Sequence, residues 1–129
     1  DKIQNDRWMK LVITIRAVHV HMTGKTDNLP ELHVALRVPC PFQILVRFVE
    51  MYPDQASILM MPDNCYPLHF FLLGHDVTKE SQSVVQSLIS AYPPAVNHRY
   101  NGRLPLHLAI ESGRKWECGM EDVVSAGPN

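Results

Sequence analysis

The sequence predicts an all-α chain built from stacked helix pairs, and three observations carry that expectation. A short segment centred on proline and histidine recurs three times. An apolar stretch with helical spacing follows each copy and runs into a proline. Turn-forming residues separate one copy from the next.

The first segment reads Leu29-Pro30-Glu31-Leu32-His33-Val34-Ala35-Leu36, then Tyr66-Pro67-Leu68-His69-Phe70-Phe71-Leu72, then Leu104-Pro105-Leu106-His107-Leu108-Ala109-Ile110. The histidines stand 36 and then 38 residues apart (69 − 33 and 107 − 69). Proline at the first turn of a helix is preorganised and gives up no needed donor, so Pro30, Pro67 and Pro105 should each start a short helix. Leu106, Ala109 and Ile110 fall at i, i+3 and i+4, and Leu32, Ala35 and Leu36 repeat the stripe, which predicts one buried face.

The second segment contains Ile44, Leu45, Phe48 and Val49 before Tyr52-Pro53, then Val84, Val85, Leu88 and Ile89 before Tyr92-Pro93. Its third copy, 121 to 126, holds Val123 and Val124 before Gly127-Pro128. The spacing predicts a second helix in each unit, ended by proline because the ring cannot continue the hydrogen-bond ladder. Tyr52 and Tyr92 recur at one place in the unit and should pack between units with their hydroxyls near the surface. Phe71 should be core.

Between copies lie Asp27-Asn28, Asp63-Asn64 and Asn101-Gly102, residues suited to tight turns, so these connections are expected to be loops or hairpin-like fingers. The chain divides into a partial unit at 1–28, full units at 29–62 and 63–100, and a last unit at 101–129. Trp8, Leu11, Val12 and Ile15 form the stripe of the opening helix, read as the second half of a unit. The polar stretch from Gly74 to Ser83 reads as an insertion between the two helices of the middle unit. A chain that opens on Asp1 with an uncapped apolar helix is expected to be a segment of a longer array, or to have its ends covered by neighbours.

Composition bounds the function. Hydrophobic residues make up 46% and charged residues 19% of 129, the balance of a folded domain. Net charge is −1 and no stripe of lysine and arginine is present, which argues against nucleic acid as a partner. Apolar runs such as Leu11 to Ile13 and Phe70 to Leu73 fall far short of the roughly 20 residues a membrane span needs. No membrane insertion is expected. Cys40, Cys65 and Cys118 are odd in number and widely spaced, as in a reducing intracellular compartment.

Several side chains invite a chemical reading. His33, His69 and His107 would lie one unit apart, roughly 10 Å for packed helices, whereas zinc ligands converge within about 2 Å of the ion. Each imidazole is therefore expected to tie adjacent units or a loop backbone. His19 and His21 would share a face of an extended segment, but no third ligand is near, and a solvated pair at a fraying end is expected. Gly74-His75-Asp76 lacks any Gly-x-Ser-x-Gly nucleophile turn elsewhere and reads as a loop. Cys40 before Pro41 has no neighbouring base. No Gly-rich phosphate loop occurs. Neither catalysis, a metal nor a cofactor is expected.

Leu104-Pro105-Leu106-His107-Leu108-Ala109-Ile110-Glu111-Ser112-Gly113 resembles the ankyrin repeat, whose helical start reads Thr-Pro-Leu-His-x-Ala-Ala. The likeness runs from residue 27 to 129 and is strongest in the last unit. Leu29, Tyr66 and Leu104 replace the threonine, Glu31 interrupts the first copy, and Leu36, Leu72 and Ile110 replace the second alanine. The period also exceeds the roughly 33 residues of the family, as in a longer Leu-Pro-Leu-His variant. The resemblance implies an ankyrin-like solenoid of helix-turn-helix units with projecting loops or short hairpins, and a non-catalytic protein-interaction module or scaffold that binds another protein.

In that arrangement the first helices line a concave side. The residue after each histidine then faces the partner, giving Val34, Phe70 and Leu108, with Arg37, Leu73 and Glu111 one turn further. The projecting turns add Asn64, Arg99, Tyr100, Asn101 and Arg103. A different class of function, a regulatory or substrate-docking domain of a longer enzyme, or a structural subunit of a larger complex, fits the same residues and would be revealed by motifs outside this segment.

Overall fold

Proline and hydrophobic spacing place the helices. The computed structural model describes residues 2–25, 29–60, 64–74, 78–113 and 120–126, and among these the chain is predominantly helical, with no sustained strand. A long helix α1 (Lys2–Thr23) is followed by three helix pairs: α2 (Glu31–Arg37) with α3 (Phe42–Met51), α4 (Pro67–Gly74) with α5 (Gln82–Ala91), and α6 (Pro105–Glu111) with α7 (Met120–Ala126). Pro67 and Pro105 are the first residues of their helices, as expected. Pro30 stands one position earlier, as the residue preceding α2, because Glu31 opens that helix.

The pairs stack in two layers. First helices α2, α4 and α6 lie side by side, as do second helices α3, α5 and α7. The core between them holds Leu32, Leu36, Leu45, Phe48, Leu68, Phe71, Leu72, Val84 and Leu88, all nearly inaccessible to water. Burying such side chains is worth about 1.5–3 kcal/mol each, which outweighs the weak intrinsic stability of helices only seven to ten residues long.

Proline does more than stop the second helices. After Tyr52 and Tyr92 the chain continues into 3-10 turns, Pro53–Ser57 and Pro93–Asn97, whose backbone bonds match position for position. Tyr52 N–H donates to Phe48 O and Tyr92 N–H to Leu88 O, and Gln55 and Ala95 then donate to the two tyrosine carbonyls. Ala56, Ala95 and Val96 are buried where these turns close on the helices.

Tyr52 packs between units as expected, whereas Tyr92 packs within its own unit. Tyr52 stacks beside Phe48 and Trp8, and its hydroxyl accepts the Trp8 indole N–H at 3.0 Å. Tyr92 lies 5.1 Å from Tyr66 between ring centres.

Helix α1 differs from its counterparts. It runs 22 residues without a break, packs on α2, and reaches α3 through Trp8, 4.7 Å from Phe48. Val12, Ile15 and His19 are buried along it, so His19 is not half of a solvated pair as its position near the helix end implied; it completes the stripe four residues after Ile15, while His21 is exposed.

Glu31, the residue that interrupts the first motif, anchors this junction. It accepts from Arg16 of α1 at 2.9 Å and from the Gln55 amide at 2.9 Å. Gln55 Oε1 in turn accepts the Leu32 N–H at 2.8 Å, satisfying a donor at the start of α2 that has no intrahelical partner. Arg16 also donates to Leu29 O at 2.7 Å. Both ionic side chains are partly exposed, which limits the gain. Glu31→Ala is expected to lower stability by about 1 kcal/mol in urea titration, with the difference shrinking in high salt. An unchanged midpoint would mean the clamp contributes nothing.

The polar stretch between α4 and α5 contains a third 3-10 turn, Lys79–Ser81, capped by the Thr78 hydroxyl, which accepts the Ser81 N–H. Asp27-Asn28, Asp63, His75-Asp76, Cys118 and Gly127-Pro128 lie outside the described residues. No helix among the described residues is long and apolar enough to cross a membrane.

Candidate functional site

At 60–65 and 100–103 the chain forms isolated antiparallel bridges, Met60 with Cys65 and Tyr100 with Arg103. Asn101 and Gly102 both take positive φ, 53° and 80°, the pattern of a tight two-residue hairpin turn, and Asn64 also has φ 62°. The hairpin-like finger expected from Asn-Gly chemistry is therefore present at 100–103, whereas 61–63 of the Asp63-Asn64 connection lie outside the described residues. Arg99 braces its own finger by donating to Gly102 O at 3.0 Å.

Buried histidines hold the 3-10 turns against the first helices. His33 Nε2 donates to Gln55 O at 3.0 Å, and His69 Nε2 donates to His98 O at 2.7 Å. Each imidazole thus ties a first helix to the loop backbone after the second helix of the same pair.

Burial lowers the pKa of both below the ordinary histidine range. For His33 the Gln55 and Ile58 carbonyls oppose that shift and Arg37 reinforces it; for His69 the His98 carbonyl opposes it. The second nitrogen of His69, Nδ1, is buried with no hydrogen-bond partner. A proton there would meet no acceptor.

His107 departs from this pattern. It is exposed, and its Nδ1 accepts the Leu104 N–H at 3.1 Å, capping the start of its own helix. The loop carbonyl that would correspond to Gln55, 22 residues on from its histidine, falls at residue 129, outside the described residues.

Around His69 the rings of Tyr66, Tyr92, His98 and Tyr100 form a continuous cluster. Tyr66 lies 4.7 Å from His98, and His69 lies 5.5 Å from His98 and 6.4 Å from Tyr100 between centres. A hydrogen bond with Tyr92, with burial second, raises the Tyr66 pKa. His98 is half-buried here, and its carbonyl is the His69 acceptor. The cluster couples the core of the second pair to the finger at 100–103.

The expected partner-facing residues separate into four groups. Leu73, Tyr100, Asn101 and Arg103 converge on one cleft of about 320 Å³ between α4, α6 and the finger, with Leu108 as its floor. Leu73 is 53% exposed there, an apolar side chain open to water. Glu111 is drawn to the rim by an ion pair with Arg103 at 2.6 Å. Arg37 and Phe70 belong to a neighbouring cleft of about 500 Å³ between α2 and α4, shared with Met22, Cys40 and Phe42. There the Arg37 guanidinium sits over the Phe70 ring, 5.7 Å from its centre. Asn64 and Arg99, the residue before the finger at 100–103, are exposed and lie outside both clefts.

Val34 and Leu108 are corrections. At 1% and 3% exposure they are core and offer a partner almost no surface. All of 32–36 is buried, because α1, α3, α4 and a 3-10 turn close around the short helix α2, leaving its two ends as the open positions. Leu108 lies beneath the finger and Leu73. Phe71 is fully buried, as its position in the motif implied, whereas Phe70, expected on the partner-facing side, is half-buried.

The Cys40 thiol, half-buried in the larger cleft, is pushed up to about 11 by burial and is not a nucleophile at neutral pH. Among the described residues no cluster of three or more His, Cys, Asp or Glu side chains is placed to hold a metal. The chain matches no family model, no curated protein and no solved structure.

Proposed function

We propose that this chain is a protein-interaction module of ankyrin-like architecture, and that its first-helix layer is the surface that holds the partner. The observation that carries the reading is the cleft at Leu73. A short helix that buries Leu68, Phe71 and Leu72 leaves Leu73 open beside a finger that presents Tyr100, Asn101 and Arg103. Aromatic and arginine anchors around an open apolar centre are the residue types that dominate protein interfaces.

The adjoining Arg37–Phe70 cleft extends the same layer, since Phe70 and Leu73 are one helical turn apart on α4. The recurring helix pairs, the Asn-Gly finger and the buried histidines His33 and His69 support the ankyrin-like reading. The larger residues at 36, 72 and 110 and the 3-10 turns distinguish this chain's version of it.

Leu73→Asp is expected to leave the helical circular dichroism and melting temperature nearly unchanged, because the side chain is exposed. The same change should remove the partners that co-purify with the tagged protein from its own cells. Tyr100→Ala should weaken binding of a recovered partner by about 2 kcal/mol, the hot-spot scale. Recovery of the same partners by Leu73→Asp at wild-type level would contradict the assignment.

A further inference from the structure

The two ends of the helix stack carry complementary faces. In the first two pairs, the residue three after the histidine is core: Leu36 is 2% exposed and Leu72 0%. Its counterpart in the last pair, Ile110, is 56% exposed. The second helices follow suit, with Val49 and Ile89 buried and the matching Val124 exposed. The first two pairs are each packed on by the next, α4 and α5 on α2 and α3, then α6 and α7 on α4 and α5. Helices α6 and α7 thus repeat the side-chain pattern of a face that this fold covers with another layer of helix.

At the other end, α1 presents Met9, Ile13 and Val20 to water, Ile13 at 62% exposure. Their spacing sets them along one side of the helix. Charge divides the same way. Helix α1 carries Arg7 and Lys10 against the single acid Asp6, with Arg16 already paired to Glu31, whereas α6 and α7 carry Glu121 and Asp122 and no lysine or arginine, with Glu111 already paired to Arg103. Arg7 and Lys10 are exposed on one end and Glu121 on the other.

We propose that the α1 face of one copy of this chain packs on the α6–α7 face of a second copy, head to tail. The contact continues the stacking already seen between successive pairs and sets cations against carboxylates at its rim. Because the two faces differ, the association is heterologous and open-ended, and each added copy leaves a free face for the next. The contact is separate from the first-helix clefts and does not depend on their role.

The test is sedimentation velocity of the full chain over a wide concentration range, together with Ile13→Glu and Ile110→Glu. Both residues are exposed, so the variants should fold with wild-type helicity. Wild type should form successively larger species as concentration rises, and fewer of them in high salt. Each variant alone should be monomeric, its self-association weakened roughly ten-fold or more by the charge placed in an apolar contact. Mixed in equal amounts they should form a dimer and nothing larger, since each retains the face the other lacks. Three results would overturn the proposal: a wild type that is monomeric at every concentration, with these faces taken by some other segment or protein; a single variant that still associates with itself; or a mixture that stays monomeric.

Discussion

Phe71→Ala is expected to destabilise the chain by about 4 kcal/mol, and Phe70→Ala by only about 1 kcal/mol. The two side chains are neighbours in sequence and of equal size. Phe71 is fully buried and meets the Phe42 ring edge-on at 6.0 Å across the two helix layers, so truncation opens a cavity that the closely packed surroundings cannot fill. Phe70 is half-buried under Arg37 at the edge of an open cleft, where water can take the vacated space. Urea titration of both variants gives the comparison directly. Equal losses would place Phe70 in the core and remove it from the interaction surface.

His69→Ala should cost about 3 kcal/mol, combining a cavity among Tyr66, His98 and Tyr100 with a His98 carbonyl left without its donor. His107→Ala, which removes one exposed cap bond, should cost under about 1 kcal/mol. The same geometry fixes a pH dependence. The folded pKa values of His33 and His69 are lowered, so the folded protein keeps them neutral while the unfolded chain takes up protons near pH 6.5. Their contribution is complete above about pH 6.5 and is lost as pH falls toward the folded pKa values, at up to about 1.4 kcal/mol per pH unit for each histidine. Replacing His69 should remove its part of that slope. A wild-type stability that is flat between pH 7 and 5 would contradict the neutral, donor-only role of both rings.

How much of this was legible in the sequence follows from what each signal depends on. The helix pairs depend on local terms, a proline at or beside each first-helix start and apolar residues three and four apart, and those terms agree with the packing. Asn101-Gly102 specified its turn because few other residues tolerate two successive positive φ angles. The role of His33 and His69 followed from the cost of burying an unpaired imidazole.

Other features depended on tertiary neighbours. Val34 reads as a surface residue until α1 is placed over α2, and His19 reads as a solvated end residue until the helix is seen to continue through it. Glu31 looks like an interruption because its partners, Arg16 and Gln55, are 15 and 24 residues away. The 3-10 turns after Tyr52 and Tyr92 left a readable trace, a proline at the first position and a buried apolar residue three further on, Ala56 and Val96.

The central claim, that partners are held on the first-helix layer, is tested most directly by photo-crosslinking. A benzophenone amino acid placed at 73 samples the cleft beside the finger, and one placed at 90 samples the exposed second-helix layer on α5. Irradiated in the protein's own cells, the probe at 73 should capture a partner that the probe at 90 does not. Capture at 90 with none at 73 would contradict the account.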